Sequence, residues 1–100
     1  MIDRTFRALA DPTRRRILQL LKDGDLPAGE LAAHFEMAFA SVSHHLQVLR
    51  DSGLVQSRRD GQHIIYSLNT TVFQDVMQHL LDMAGTPKTR KPGSRSRGGS

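Results

Sequence analysis

Two adjacent histidines, His44 and His45, lie in the run ASVSHHLQVLRDSGLVQSRRDG, residues 40–61. On a helical period Ser41, Ser43, His44 and Gln47 fall on one side, and Val42, Leu46 and Leu49 on the other. One face packs, and the other offers short hydrogen-bonding groups to something outside. The histidines do not read as a metal pair. Adjacent helical residues point about 100° apart, whereas helical metal sites use an i, i+4 spacing. His44 faces outward, toward a base edge, a phosphate or only water, while His45 lies near the packing side as a structural histidine. Ser43 and His44 are sequence neighbours with no third group, so they lack the geometry of a Ser–His nucleophile. The lone glycines at 24, 29, 53 and 61 match turns rather than a phosphate-binding loop. An enzyme is not expected.

The arginines divide into two runs. Arg14, Arg15 and Arg16 are consecutive on a helical pattern and spread around most of its circumference, which makes them a weak patch. Arg14 falls on the Ile17–Leu18–Leu21 stripe and is expected to pair with a carboxylate inside the fold; Arg15 points away, toward phosphate or water. Arg58 and Arg59 stand before a hairpin turn signal, Asp60-Gly61, with Gln62 next to it. A basic hairpin beside a reading helix is where DNA phosphate or a minor groove would be met. The bland alternative is a hairpin that is basic only for solubility.

Metal sensing is a second functional reading. His79 and Asp82 stand at i, i+3 and form half of a carboxylate–histidine zinc site that a dimer would complete. The bland reading is a solvated pair near a helix end. No cofactor is expected.

Among 100 residues there is no cysteine, which removes disulfides and thiolate metal sites together. The start, Met-Ile-Asp-Arg-Thr-Phe, is unlike a signal peptide, and no apolar run approaches the ~20 residues of a membrane span. A cytoplasmic protein is the expectation, with no membrane insertion. The net charge of +4 is unevenly placed. Five of the 14 basic residues lie in 86–100 with no acidic residue, which leaves nine basic against ten acidic side chains in 1–85. Two units follow: a domain over 1–85 for DNA binding and dimerisation, and a basic tail over 86–100 expected to be disordered.

The elements that must position these residues are short. Ile2, Phe6, Leu9 and Ala10 recur at helical spacing over 2–10, and Asp11-Pro12 starts a second helix over 12–22. A third helix is expected over 28–35, facing Leu31, Ala32 and Phe35 inward, and a fourth over 39–52, stopped by Gly53. Strands over 54–58 and 63–68 flank the turn, and a helix over 72–84 follows a cap at Asn69 or Thr70. The fold class is mainly α with a small β-hairpin, in the order α-α-α-α-β-β-α. A short helix, a polar-faced helix and a basic ribbon suit a DNA major groove, which is a winged helix-turn-helix. The end helices carry more apolar surface than so small a domain can cover. Ile2, Phe6, Leu9, Val76, Leu80 and Met83 are the expected dimer interface.

ALADPTRRRILQLL, GELAAHF, SVSHHLQVLRDSGLV and GQHIIYSLN, in that order, resemble the ArsR family of bacterial winged-helix repressors. YSLNTTVFQDV is similar to its SdpR-like autorepressor branch. The resemblance spans about residues 2–84. It implies a homodimer on an inverted repeat of double-stranded DNA in its own promoter region. It also allows release by a membrane or protein antirepressor. A rival reading is a protein-interaction antirepressor that keeps the fold without reading DNA; the polar face and basic wing favour DNA. The family's DNA-facing positions fall on Phe39, Ala40, Ser43 and His44, with Ser41 on phosphate and the wing tip over 58–62. Two departures stand out. Ala38 replaces the usual Ser or Thr cap, and Phe39 replaces a polar base-reader, so it meets a thymine methyl or packs against the third helix.

Overall fold

The computed structural model describes residues 2–85, with side chains from residue 4 onward; the tail over 86–100 lies outside the described residues. Helices α1 (Ile2–Leu9) and α2 (Pro12–Lys22) meet at Asp11. The Asp11 carboxylate accepts a hydrogen bond from the Arg14 backbone N–H at 3.0 Å, satisfying a donor that the first turn leaves open. Pro12, which needs no such partner, takes the first helical position. Then come strand β1 (Leu26–Pro27), helix α3 (Ala28–Ala32), helix α4 (Phe39–Asp51), strands β2 (Val55–Asp60) and β3 (His63–Leu68), and helix α5 (Thr70–Met83).

Element bounds shift by a residue or two, with β2 running to Asp60 so that the turn is Gly61-Gln62 rather than Asp60-Gly61, and α5 starting at Thr70. Two larger features differ from the sequence expectation. Strand β1 adds a third member to the hairpin, giving the sheet order β1-β3-β2 through antiparallel pairs Leu26–Tyr66 and Pro27–Ile65. A two-residue strand carries no alternation to detect, and Pro27 is tolerated because β1 is an edge. Helix α3 ends at Ala32 rather than Phe35, and turns and bends occupy 33–37 before extended Ala38.

The core forms where α2, α3 and α4 converge on the sheet. Ile17, Leu18, Leu21, Leu31, Val42, Leu46, Leu49, Leu54, Val55, Tyr66 and Val76 are buried. On α1 the buried positions are the small residues Thr5 and Ala8, while Phe6 and Leu9 pack at its edge and stay half-open. Val76 departs from its expected interface role. At 2% exposure it is already covered within its own chain and has no surface left for a dimer seam.

Two arginines close the C-terminal end of α1. Arg14 donates from Nε to the Ala8 carbonyl at 2.7 Å and from Nη2 to the Arg7 carbonyl at 3.0 Å, and Arg15 donates to the Leu9 carbonyl at 2.8 Å. Helix ends leave such carbonyls without intrahelical donors and carry partial negative charge, so guanidinium groups suit them. The Arg14 guanidinium thus bonds backbone oxygens, and its carboxylate partner is Asp11, which feels its charge without a direct ion pair.

Candidate nucleic-acid interface

Helix α4 begins without a side-chain cap, because Ala38 has no acceptor, and ends in a tight glycine motif. Gly53 adopts φ +86°, its N–H reaches the Arg50 carbonyl at 3.0 Å, and the Leu54 N–H reaches Leu49 at 3.1 Å. These bonds satisfy two orphan carbonyls and turn the chain sharply into β2. The hairpin is therefore tied to the end of α4.

Val42, Leu46 and Leu49 anchor α4, with exposures of 0%, 1% and 0%. Ala40, Ser41, Ser43, His44 and Gln47 all face solvent, as the helical period requires. Gln47 is partly engaged: its side-chain amide donates to Asp51 Oδ1 at 2.8 Å. His45 sits at the border between the two faces, with its side chain 18% exposed. Its Nδ1 lies 3.2 Å from Arg14 Nη1 and 3.8 Å from Asp11 Oδ2, so it joins the α1–α2 junction to the back of α4. Partial burial pushes the Asp11 carboxyl up. Hydrogen bonds from the Arg14 and Thr13 backbones, together with the charges of His45 and Arg14, outweigh it and hold the group below its ordinary value.

Phe39, the first residue of α4, is 55% exposed, so most of its surface does not pack against α3. Phe35, by contrast, packs at the edge of the core.

The wing pairs Val55 with Leu68 through Asp60 with His63, closed by Gly61 and Gln62 with Gly61 at φ +65°. Alternation along β2 sends Arg58 and Arg59 to opposite faces. Arg58 donates to Asp25 at 3.1 Å, a pair 33 residues apart that sequence spacing does not reveal. Arg59 makes no ion pair among the described residues, and Gln62 is exposed at the turn. Of the two wing arginines, Arg59 is the free one.

His79 is exposed on α5, and Asp82 accepts a hydrogen bond from the Gln78 amide at 3.0 Å. Among the described residues no group of three or more His, Cys, Asp or Glu side chains converges as metal ligands do. No described helix is long and apolar enough to cross a membrane.

A short helix, a polar-faced second helix and a three-stranded wing define the winged helix-turn-helix class. Residues 11–57 match the profile described as bacterial regulatory protein, arsR family. The chain is 48% identical over 81 residues to the transcriptional repressor SdpR of Bacillus subtilis (strain 168), covering 81% of this chain and 90% of that protein. It is 39% identical over 75 residues to the arsenical resistance operon repressor of Staphylococcus aureus, covering 75% and 72%. A crystal structure of an ArsR family transcriptional regulator superposes with a TM-score of 0.76 at 33% identity, over 88% of this chain and 97% of that one. The chain belongs to the ArsR family: it is a DNA-binding regulator, not an enzyme.

Proposed function

We propose that this chain is a homodimeric repressor that occupies an inverted-repeat operator in its own promoter region and needs no metal. The observation that carries the reading is the solvent-facing row of α4, Ala40, Ser43 and His44, over a fully buried anchor. Short polar groups on a helix of that kind read base edges in the major groove. Ser41 and the uncapped N–H groups of the first turn suit backbone phosphate. Arg59 adds affinity from the wing without sequence preference. Repression by occupancy excludes polymerase and requires only affinity and symmetry.

Symmetry is supplied by α1 and α5. Phe6, Leu9, Ala10, Arg15, Met77 and Leu80 line an open, mostly apolar groove of about 320 Å³. Leu80 in its lining and Met83 farther along α5 are 37% and 69% exposed, and Ile2 belongs to the same stripe by sequence. A second copy related by a two-fold axis would cover this surface and leave both reading helices free. The similarity to a named transcriptional repressor supports the repressor reading, and the absence of cysteine supports metal independence.

The test is selection of bound duplexes from a random pool with the full chain, with sedimentation in parallel. An enriched inverted repeat that also occurs upstream of the chain's own coding sequence is expected. A dimer at micromolar concentration that Leu80→Asp dissociates is expected too, since an unpaired carboxylate in an apolar seam costs several kcal/mol. No enrichment would favour a protein-interaction module that keeps the fold without reading DNA.

A further inference from the structure

The large exposed apolar side chains among the described residues fall into two groups. Leu80, Leu81 and Met83 sit on α5, where the proposed dimer seam takes up Leu80 and Met83 and Leu81 lies next to them in the chain. Met37 and Phe39 do not share that explanation. They flank Ala38 at the entry to α4, with exposures of 38% and 55%.

An aromatic ring left in water forgoes the gain that burial would bring, and the fold had an alternative. Phe35, four residues earlier, packs against the core. Ala38, at φ −61° and ψ 145°, is extended, so α4 starts with Phe39 as its first helical residue. On α4 the positions 39, 43 and 47 form one row at i, i+4 and i+8. Ser43 contributes only a short hydroxyl to that row, and the Gln47 amide is turned back onto Asp51. Phe39 stands at the N-terminal end, the part of a helix-turn-helix reading helix that meets base edges.

We propose that Phe39 is a specificity-determining residue that packs on the 5-methyl group of a thymine in the major groove. The inference rests on the DNA-reading proposal for α4. A phenyl ring neither donates nor accepts a conventional hydrogen bond. It therefore gains nothing from the amino, carbonyl or ring-nitrogen groups of adenine, guanine or cytosine. The apolar feature that the four natural bases display in the major groove is the thymine methyl. A ring at this position converts a polar, hydrogen-bonding readout of the base edge into a methyl readout at one place in the half-site.

Deoxyuridine differs from thymidine only by that methyl. Duplexes are first selected with the wild-type full chain. Each thymine in the selected sequence is then replaced singly by deoxyuridine, and binding is measured at fixed salt for wild type, Phe39→Ala and Phe39→Leu. Phe39 is exposed, so the variants are expected to melt with the wild type, which circular dichroism checks. At one thymine per half-site, wild type should lose roughly threefold to tenfold in affinity on replacement, about the effect of uncovering one methyl group. Phe39→Ala should lose less than about twofold there, and Phe39→Leu should fall between. Cytosine at that position should bind weakly, and 5-methylcytosine should recover part of the loss for wild type alone.

Three results would overturn the inference. In one, no thymine is sensitive to loss of its methyl although a sequence is selected. In another, Phe39→Ala keeps the full sensitivity. In the third, Phe39→Ala weakens all duplexes equally, which would mean contact with sugar and phosphate. Failure to select any sequence would instead bring down the DNA-reading proposal, and this inference with it.

Discussion

Arg14–Arg15 and Arg58–Arg59 are two pairs of the same residue type with opposite uses. The first pair is spent on the chain's own backbone, where its guanidinium groups close the Arg7, Ala8 and Leu9 carbonyls at the end of α1. The second stands on the wing, where one member is held by Asp25 and the other is open to solvent. What separates them is the nearest unsatisfied partner. A helix C-terminus supplies a fixed cluster of carbonyl oxygens, so arginines beside it become structural. A hairpin pairs its own backbone internally and leaves its outward side chains to whatever arrives from outside. Charge runs in a sequence therefore say little until the backbone groups around them are accounted for.

The sharpest way to break this contrast is Arg14→Ala. It removes a part-buried hydrogen bond from a charged donor to the Ala8 carbonyl, an exposed one to the Arg7 carbonyl, and the contact with His45. A loss of about 2 kcal/mol is expected in urea unfolding, at about 1.5–3 kcal/mol for the part-buried bond and little for the exposed one. The salt dependence of DNA binding by the folded fraction should not change. An Arg14→Ala protein as stable as wild type would show that the α1 end is satisfied by water.

Arg59→Ala should do the reverse. Its stability should stay within about 0.5 kcal/mol of wild type, as for most exposed sites. The slope of log affinity against log salt should fall by about 0.9 for each lost phosphate contact, or ~1.8 for two wings in a dimer. Specific and random duplexes should weaken alike. The salt slope is read by titration at several ionic strengths. Arg58→Ala should change it less, because Asp25 already neutralises that side chain.

Asp11 sharpens the structural side. Replacing it with Ala removes the α2 cap, at a cost of about 1 kcal/mol. Asp11→Asn keeps a capping oxygen but not the charge. The Asp11 carboxyl is held below its ordinary value of 3.8 in the folded chain. The stability linked to that charge is fully present above the unfolded pKa and drains away as pH falls through the lower folded value. Urea midpoints measured from neutral pH down through that window should therefore fall more steeply for wild type than for Asp11→Asn. Parallel acid limbs would contradict the assignment.

The smallest expected effect is that of zinc. Titrating it into the dimer should leave operator affinity unchanged. A drop of more than about tenfold, equal to ~1.4 kcal/mol of coupling, that disappears in His79→Ala would promote the His79/Asp82 reading.

Much of this was legible in the sequence. The buried stripe of α4, the Asp11-Pro12 helix start and the hairpin turn at Gly61 each rest on local rules of period, capping and φ, and the structure shows all three. The illegible parts are long-range or too short. Strand β1 has two residues and exists because β3 lies beside it. Arg58 finds Asp25 across 33 residues, and Arg14 finds backbone oxygens that no side-chain pattern announces. Val76 follows the α5 stripe as well as Leu80 does, yet one is buried and the other more than a third exposed. Periodicity marks a face as apolar without saying whether its own chain or a second copy covers it.

In the proposed repressor, α4 chooses the sequence while the wing supplies charge. The most direct measurement is the ratio of affinities for the selected duplex and for random duplex, compared between wild type and His44→Ala at one salt concentration. The ratio should shrink by roughly tenfold, of the order expected for one lost base contact, while random-duplex binding barely changes. An unchanged ratio, with both duplexes weakened equally, would contradict that division and reassign His44 to the phosphate backbone.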